Sequence, residues 1–230
     1  RSLIVTGVQT CALPIFSSEN YKPARYLSIA IDHLAQKIDN YGCHFGPVTA
    51  TVAPGSIEAS GTAIRSARKC TFAPVHTTGM SFSVLIIRYN TDTGWAVDDN
   101  ILQSVSGNVP TTAASLDSLL CIDADSGFSI GRTKVMSVSG ECAGEYSVFL
   151  GAGNTSIGSV QVAGAAARHL YCHTAAIVRI SHFECEQQQG EAVLIGKGAT
   201  LAIDTTDVNT GPVNAVTAAI KYDTALGSGS

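Results

Sequence analysis

From residue 47 onward the apolar residues of this chain recur with a period of two, and that period most constrains the fold. Successive side chains on a strand point to opposite faces, so strict alternation marks a strand with one buried face. Residues 48–52 (VTATV) alternate cleanly, and residues 83–89 (SVLIIRY) form a strong apolar strand. A turn-rich NTDTG follows at 90–94, then WAV at 95–97, which reads as a hairpin with a longer loop. Further strands are expected at 134–139, 146–150, 159–163, 169–183, 192–195, 200–204 and 213–222. Glycine and asparagine lie between them, and no internal repeat of fixed period is evident. Short strands joined by turns suggest a mainly β domain, an antiparallel β-sandwich or jelly roll.

One segment departs from this period. In residues 26–38 (YLSIAIDHLAQKI), Leu27, Ile31, Leu34 and Ile38 are spaced by four, three and four. That spacing predicts one N-terminal α-helix, with Pro23 before it and Gly42 after it as start and stop signals. Its apolar stripe is expected to pack on a sheet. Residues 109–120 (VPTTAASLDSLL) read either as a second helix or as an irregular crossing loop.

Residues 5–15 (VTGVQTCALPI) resemble the translation of a sequencing-library adapter, and the chain opens on Arg1 rather than Met. Residues 1–15 are therefore expected to be non-native, with the true start missing and a signal peptide beyond judgement. The expected organisation is 1–15 non-native, 16–46 a helical segment, 47–224 the β domain and 225–230 a flexible tail.

Only 14% of residues are charged and the net charge is −4, so the polar surface falls to Ser, Thr, Asn, Gln and Gly. No basic run exceeds Arg68-Lys69, so the footprint that neutralises phosphates is missing and nucleic acid is not an expected partner. No apolar stretch reaches the length of a membrane-spanning helix. Leaving aside Cys11, six cysteines (Cys43, Cys70, Cys121, Cys142, Cys172 and Cys185) are too widely spaced for a small disulfide scaffold. Most are expected to be buried free thiols, with one or more disulfides as the alternative.

The densest set of potential metal ligands is His169, Cys172, His173, His182 and Cys185. Their mixed parity stops one regular strand from aiming all five inward, so no zinc is expected and the histidines are read as lying on the wet side. Asp123-Ala-Asp125-Ser-Gly127 opens like a calcium loop, but position 128 is Phe and the pattern fails, leaving a turn. Gly151-Ala-Gly153-Asn-Thr-Ser156 lacks the third glycine of a dinucleotide fingerprint and is followed by a strand, so it reads as a glycine-rich β-turn. Nothing in the spacing argues for a nucleophile with a base, and neither catalysis nor a cofactor is expected. Trp95, Tyr89, Asp98 and Asp99 form a candidate ligand-binding surface, because aromatic faces stack on the apolar faces of sugars.

The C-terminal third runs strand (175–183), acidic loop (184–191), strand, Gly-x-Gly turn (196–198) and strands. This order resembles that of phage virion-associated β modules. The resemblance implies a non-enzymatic structural or interaction protein, capsid-decorating or tail-associated, in a virion or outside the cell. It implies a homo-oligomer, or other virion or surface proteins as partners. The alternative is a secreted adhesin or carbohydrate-binding module, with an enzyme the third class.

Overall fold

The computed structural model describes residues 26–31, 40–51, 59–88, 96–110, 117–166 and 168–223. In the first half the strands are β1 (Tyr26–Ile31), β2 (His44–Phe45), β3 (Val48–Thr51), β4 (Ala59–Ile64), β5 (Ala67–Arg68), β6 (Thr71–Phe72), β7 (Val75–Thr78), β8 (Phe82–Arg88) and β9 (Val97–Asp98). Six longer ones follow: β10 (Asn100–Val109), β11 (Ser118–Ala124), β12 (Arg132–Cys142), β13 (Tyr146–Ala163), β14 (Arg168–Gly196) and β15 (Thr200–Asp223). Thirteen of them form a single sheet, and β5 pairs with β9 apart from it.

Every pairing in the main sheet is parallel, which overturns the expected antiparallel sandwich or jelly roll. The chain coils, and each turn lies in register on the one before. Arg132 of β12 meets Asn154 of β13, 22 residues on. Ile177 of β14 meets Thr200 of β15, 23 residues on. Earlier returns are longer: Thr71 of β6 meets Ile101 of β10, and Asn100 meets Thr133. Unequal returns are why no fixed repeat is visible in the sequence. The loop of the hairpin expected after residue 89 lies outside the described residues, and the described strands on either side of it do not pair with each other: β8 pairs in parallel with β4 and β11, and β9 with β5.

Alternation misled about direction for a physical reason. A parallel sheet buried on both faces reads as a continuous apolar run. In the run through β10, β12 and the second half of β13 one face is largely polar, so the pattern there imitates a half-buried antiparallel sheet, whereas the run through β8 and β11 is apolar on both faces. The strands also run through glycine-rich corners. The expected turn at 151–156 is the middle of β13, where the register shifts between Leu150 and Ala152 and Gly153 takes φ +85°. Residues before that corner pair with β11, and residues after it pair with β12.

The expected N-terminal helix is corrected over the residues the structure describes: Tyr26–Ile31 is β1, parallel to β4. Leu27, Ile29 and Ile31 also fit a period of two, and β-branched isoleucines favour the pleated alternative. Residues 32–39, with Leu34 and Ile38, lie outside the described residues, as do 1–25 and the tail from 224. The possible second helix is likewise strand at both ends, with Val109 closing β10 and Ser118 opening β11. Strands β1 and β2, which precede residue 47, belong to the same sheet as the rest.

The core is a set of side-chain columns running across the rungs. One contains Leu102, Val135, Ile157, Ile180 and Ile203. Another contains Val48, Val75, Val105, Val138, Val160 and Phe183. A third, on the other run of the coil, contains Ile64, Ile86, Ile122, Leu150 and Cys172. Nearly all of these are fully buried in one continuous cluster. Burying each stabilises by about 1.5–3 kcal/mol before entropy. Where the coil tightens, Gly140 takes φ +138° and lies against Gly107, whose carbonyl a Cβ at residue 140 would strike.

Candidate functional site

A second apolar column lies on the opposite face of the third one. Leu85, Cys121, Phe149 and Tyr171 are register partners and alternate with Ile86, Ile122, Leu150 and Cys172. Tyr146 and Leu194 join them in a separate cluster. The rings pack closely: Tyr146 and Tyr171 have centroids 5.1 Å apart, and Phe149 meets Tyr171 edge-on at 5.5 Å. His173 extends the cluster, lying 5.5 Å edge-on from Tyr171 and 6.2 Å from Phe149, with which it is stacked.

Two residues along the same face, chemistry replaces packing. Asp123, Gly151 and His173 follow Cys121, Phe149 and Tyr171, each by two positions. Gly151 is required there by close approach, because a Cβ would strike the Asp123 Oδ1 atom and sit 2.8 Å from the Phe149 ring. The Asp123 carboxylate accepts the Ala124 N–H at 2.9 Å. Burial raises its pKa, and the Ala124 N–H and the nearby His173 imidazole partly offset that. The next turn brings Asp125, whose backbone N–H donates to the Arg88 carbonyl at 2.9 Å. Arg88 donates in turn to the Ser129 carbonyl at 2.8 Å and lies over the Phe128 ring. The former calcium-loop candidate is therefore a clamped turn. Among the described residues, no group of three or more His, Cys, Asp or Glu could hold a metal ion.

These groups line a cleft of about 750 Å³, to which Asp123, Asp125, Tyr171 and His173 all contribute. Glu145 completes the acidic lining and accepts the Tyr146 hydroxyl at 2.7 Å. Burial, followed by that contact with Glu145, pushes the Tyr146 phenol pKa well up, so the donor stays protonated. The cleft thus has apolar ring edges, at least three carboxylates and one imidazole, within the size range of small-ligand sites.

The residues singled out from sequence are dispersed. Tyr89 and Trp95 lie outside the described residues. Asp98 ties a turn, its Oδ1 accepting the backbone N–H groups of Asp99 at 2.9 Å and Arg132 at 2.7 Å. Asp99 pairs with the Arg132 guanidinium at 2.7 Å. Of the His/Cys set, Cys172 and Cys185 are core residues, and His182 sits outside, 3.7 Å from Glu184. His169 was expected on the wet side but is fully buried. Its Nε2–H donates to the Glu186 carbonyl at 2.8 Å, and its Nδ1 accepts the Ser147 hydroxyl at 2.7 Å. Only His173 reaches the cleft. The signal that could have found the site is the 22-residue spacing of Phe149 and Tyr171, which register alone converts into a contact.

Fold and cleft together define a parallel, coil-stacked β protein with an acidic, aromatic-lined groove. No family model matches the chain, and searches of curated proteins and of solved structures gave no match. No helix among the described residues is long and apolar enough to cross a membrane.

Proposed function

We propose that this chain is a non-enzymatic interaction module of a virion or an extracellular surface, and that its cleft binds a neutral glycan. The observation that carries the reading is the convergence of Asp123, Asp125 and His173 on the edges of Phe149 and Tyr171. Ring edges and faces offer apolar surface to a sugar's C–H face, while carboxylates and imidazole satisfy its hydroxyls. The acidic lining disfavours uronic acids and sulfated sugars, since like charges repel across a desolvated site. Scarce charge and a purely β coil stack support the virion or surface setting.

The test is a glycan array followed by calorimetry on the best ligand. A neutral oligosaccharide should bind, and polyanionic ones should not. Asp123→Asn and His173→Ala should each weaken binding by about tenfold or more, the loss of one polar contact of roughly 1.5–3 kcal/mol. Binding that is indifferent to both substitutions refutes the site. One observation favours a second reading, glycoside cleavage: Asp123 is a carboxyl with a raised pKa beside Asp125, the usual setting of a general acid. Release of reducing ends from the bound glycan, lost in Asp123→Asn, would replace binding with that activity.

A further inference from the structure

We propose that Cys43 and Cys70 form a reversible disulfide that clasps the edge strand β2 to the sheet. The two residues immediately precede His44 and Thr71, which are register partners in the β2–β6 pair. The Thr71 N–H donates to the Cys43 carbonyl at 2.9 Å, so the backbones are already hydrogen-bonded at this position. Adjacent strands lie about 4.7–4.9 Å apart, inside the roughly 4.4–6.8 Å Cα separation of disulfides.

The side chains also converge. Cys70 Sγ donates to the Asn40 carbonyl at 3.2 Å, and Cys43 Sγ donates to the Tyr41 carbonyl at 3.6 Å. Thiols from two successive coils therefore meet at consecutive carbonyls of one segment. Neither is bridged in the structure, and both are almost fully buried. Among the described residues the other core cysteines have no cysteine as register partner. Cys121 stacks on Leu85 and Phe149, Cys142 on Val109, Cys172 on Leu150, and Cys185 on Val162 and Val208.

The position gives the bond a purpose. β2 is two residues long, ends the sheet path and, among the described residues, pairs only with β6. The flanks of β2 are held by the Gly42–Arg68 and Val48–Pro74 backbone hydrogen bonds, and a terminal rung of this kind opens before the sheet interior does. A covalent link removes that freedom.

The oxidant is a low-molecular-weight disulfide such as oxidised glutathione. One cysteine thiolate attacks it, forming a mixed disulfide and releasing one glutathione thiol. The second cysteine thiolate then displaces the other glutathione thiol and closes the Cys43–Cys70 bond. The two cysteines are oxidised by two electrons, one glutathione disulfide is reduced to two thiols, and the two cysteine protons leave with them. Burial raises the Cys70 thiol pKa, so exchange runs through transient opening of β2 and β6 rather than in the closed fold.

The experiment equilibrates the full chain in glutathione buffers of graded potential. It is then acid-quenched, alkylated, digested with trypsin and examined by mass spectrometry. Cleavage after Arg65 separates the two cysteines, so a bridged peptide pair reports the bond directly. The expected result is a Cys43–Cys70 crosslink reversed by dithiothreitol, an upward shift in Tm on oxidation, and alkylation of Cys121, Cys142, Cys172 and Cys185. Cys43→Ser should abolish both crosslink and shift, while Cys121→Ser should leave the crosslink in place. Full alkylation of Cys43 and Cys70 after oxidation, with or without mild denaturant to open the edge, overturns the proposal. So does a crosslink from either residue to another cysteine. The wild-type crosslink decides the matter even if a serine variant fails to fold.

Discussion

The column of Leu102, Val135, Ile157, Ile180 and Ile203 predicts that the cost of one truncation depends on its place in the stack. Ile157→Ala is the informative change. Ile157 is fully buried, as are Val135 and Ile180 on the rungs either side. Removing its three outer carbons forfeits about 0.8 kcal/mol each, or roughly 2.4 kcal/mol of transfer free energy. The cavity cannot collapse without displacing two paired rungs, which adds a further term. The total should fall at about 3–5 kcal/mol, the upper part of the range for Ile→Ala. Ile203 sits in the same column on β15, which among the described residues has a neighbour on one side only, and its side chain is partly exposed. Ile203→Ala should cost about 1 kcal/mol, because little cavity is closed off there. Urea unfolding followed by circular dichroism, with both variants at one protein concentration, measures the difference. Equal costs, or an Ile157→Ala cost below about 1 kcal/mol, would mean that the rungs do not stack in this register.

Two further predictions concern the corner and the buried imidazole. Gly140→Ala should cost about 1–3 kcal/mol, since it forces a left-handed φ and drives a Cβ into the Gly107 carbonyl; an unchanged urea midpoint would refute the close approach. Burial lowers the pKa of His169, and the Glu186 carbonyl only partly offsets this. The unfolded chain therefore binds its proton first as pH falls below the ordinary histidine value of about 6.5, and stability should decline there and level off below the folded pKa. Thermal melts between neutral and mildly acidic pH should show that loss, and His169→Gln should flatten it; a variant with the same acid slope would assign the effect elsewhere.

Much of the secondary structure was legible in the chain. The period of two placed β3, β8, β12 and the runs within β13, β14 and β15, because alternation is a property of each segment alone. The parity argument along residues 169–185 separated Cys172 from His173 but grouped Cys172 with His182 and Cys185 with His173, whereas Cys172 and Cys185 are both core residues and His182 lies outside, because the register shifts between them; nor could it foresee that His169 would be enclosed by Ser147 and Glu186, which approach from elsewhere in the coil. The candidate surface around Asp98 was chosen for local composition, and its Asp98 and Asp99 carboxylates are engaged by Arg132 from 34 and 33 residues away.

Composition and periodicity thus determined by themselves that the chain is β-rich, sparingly charged and without a basic run longer than two residues. Only the tertiary structure decided that its strands run parallel, because alternation reads the same in either direction. It also decided that Tyr26–Ile31 is a strand, since β4 supplies a paired edge that outweighs a weak helical stripe. The cleft belongs to the same category. Asp123, Gly151 and His173 are remote in sequence and carry no local motif; they become neighbours because returns of unequal length bring successive coils into register, and register is a long-range property that no window of sequence contains.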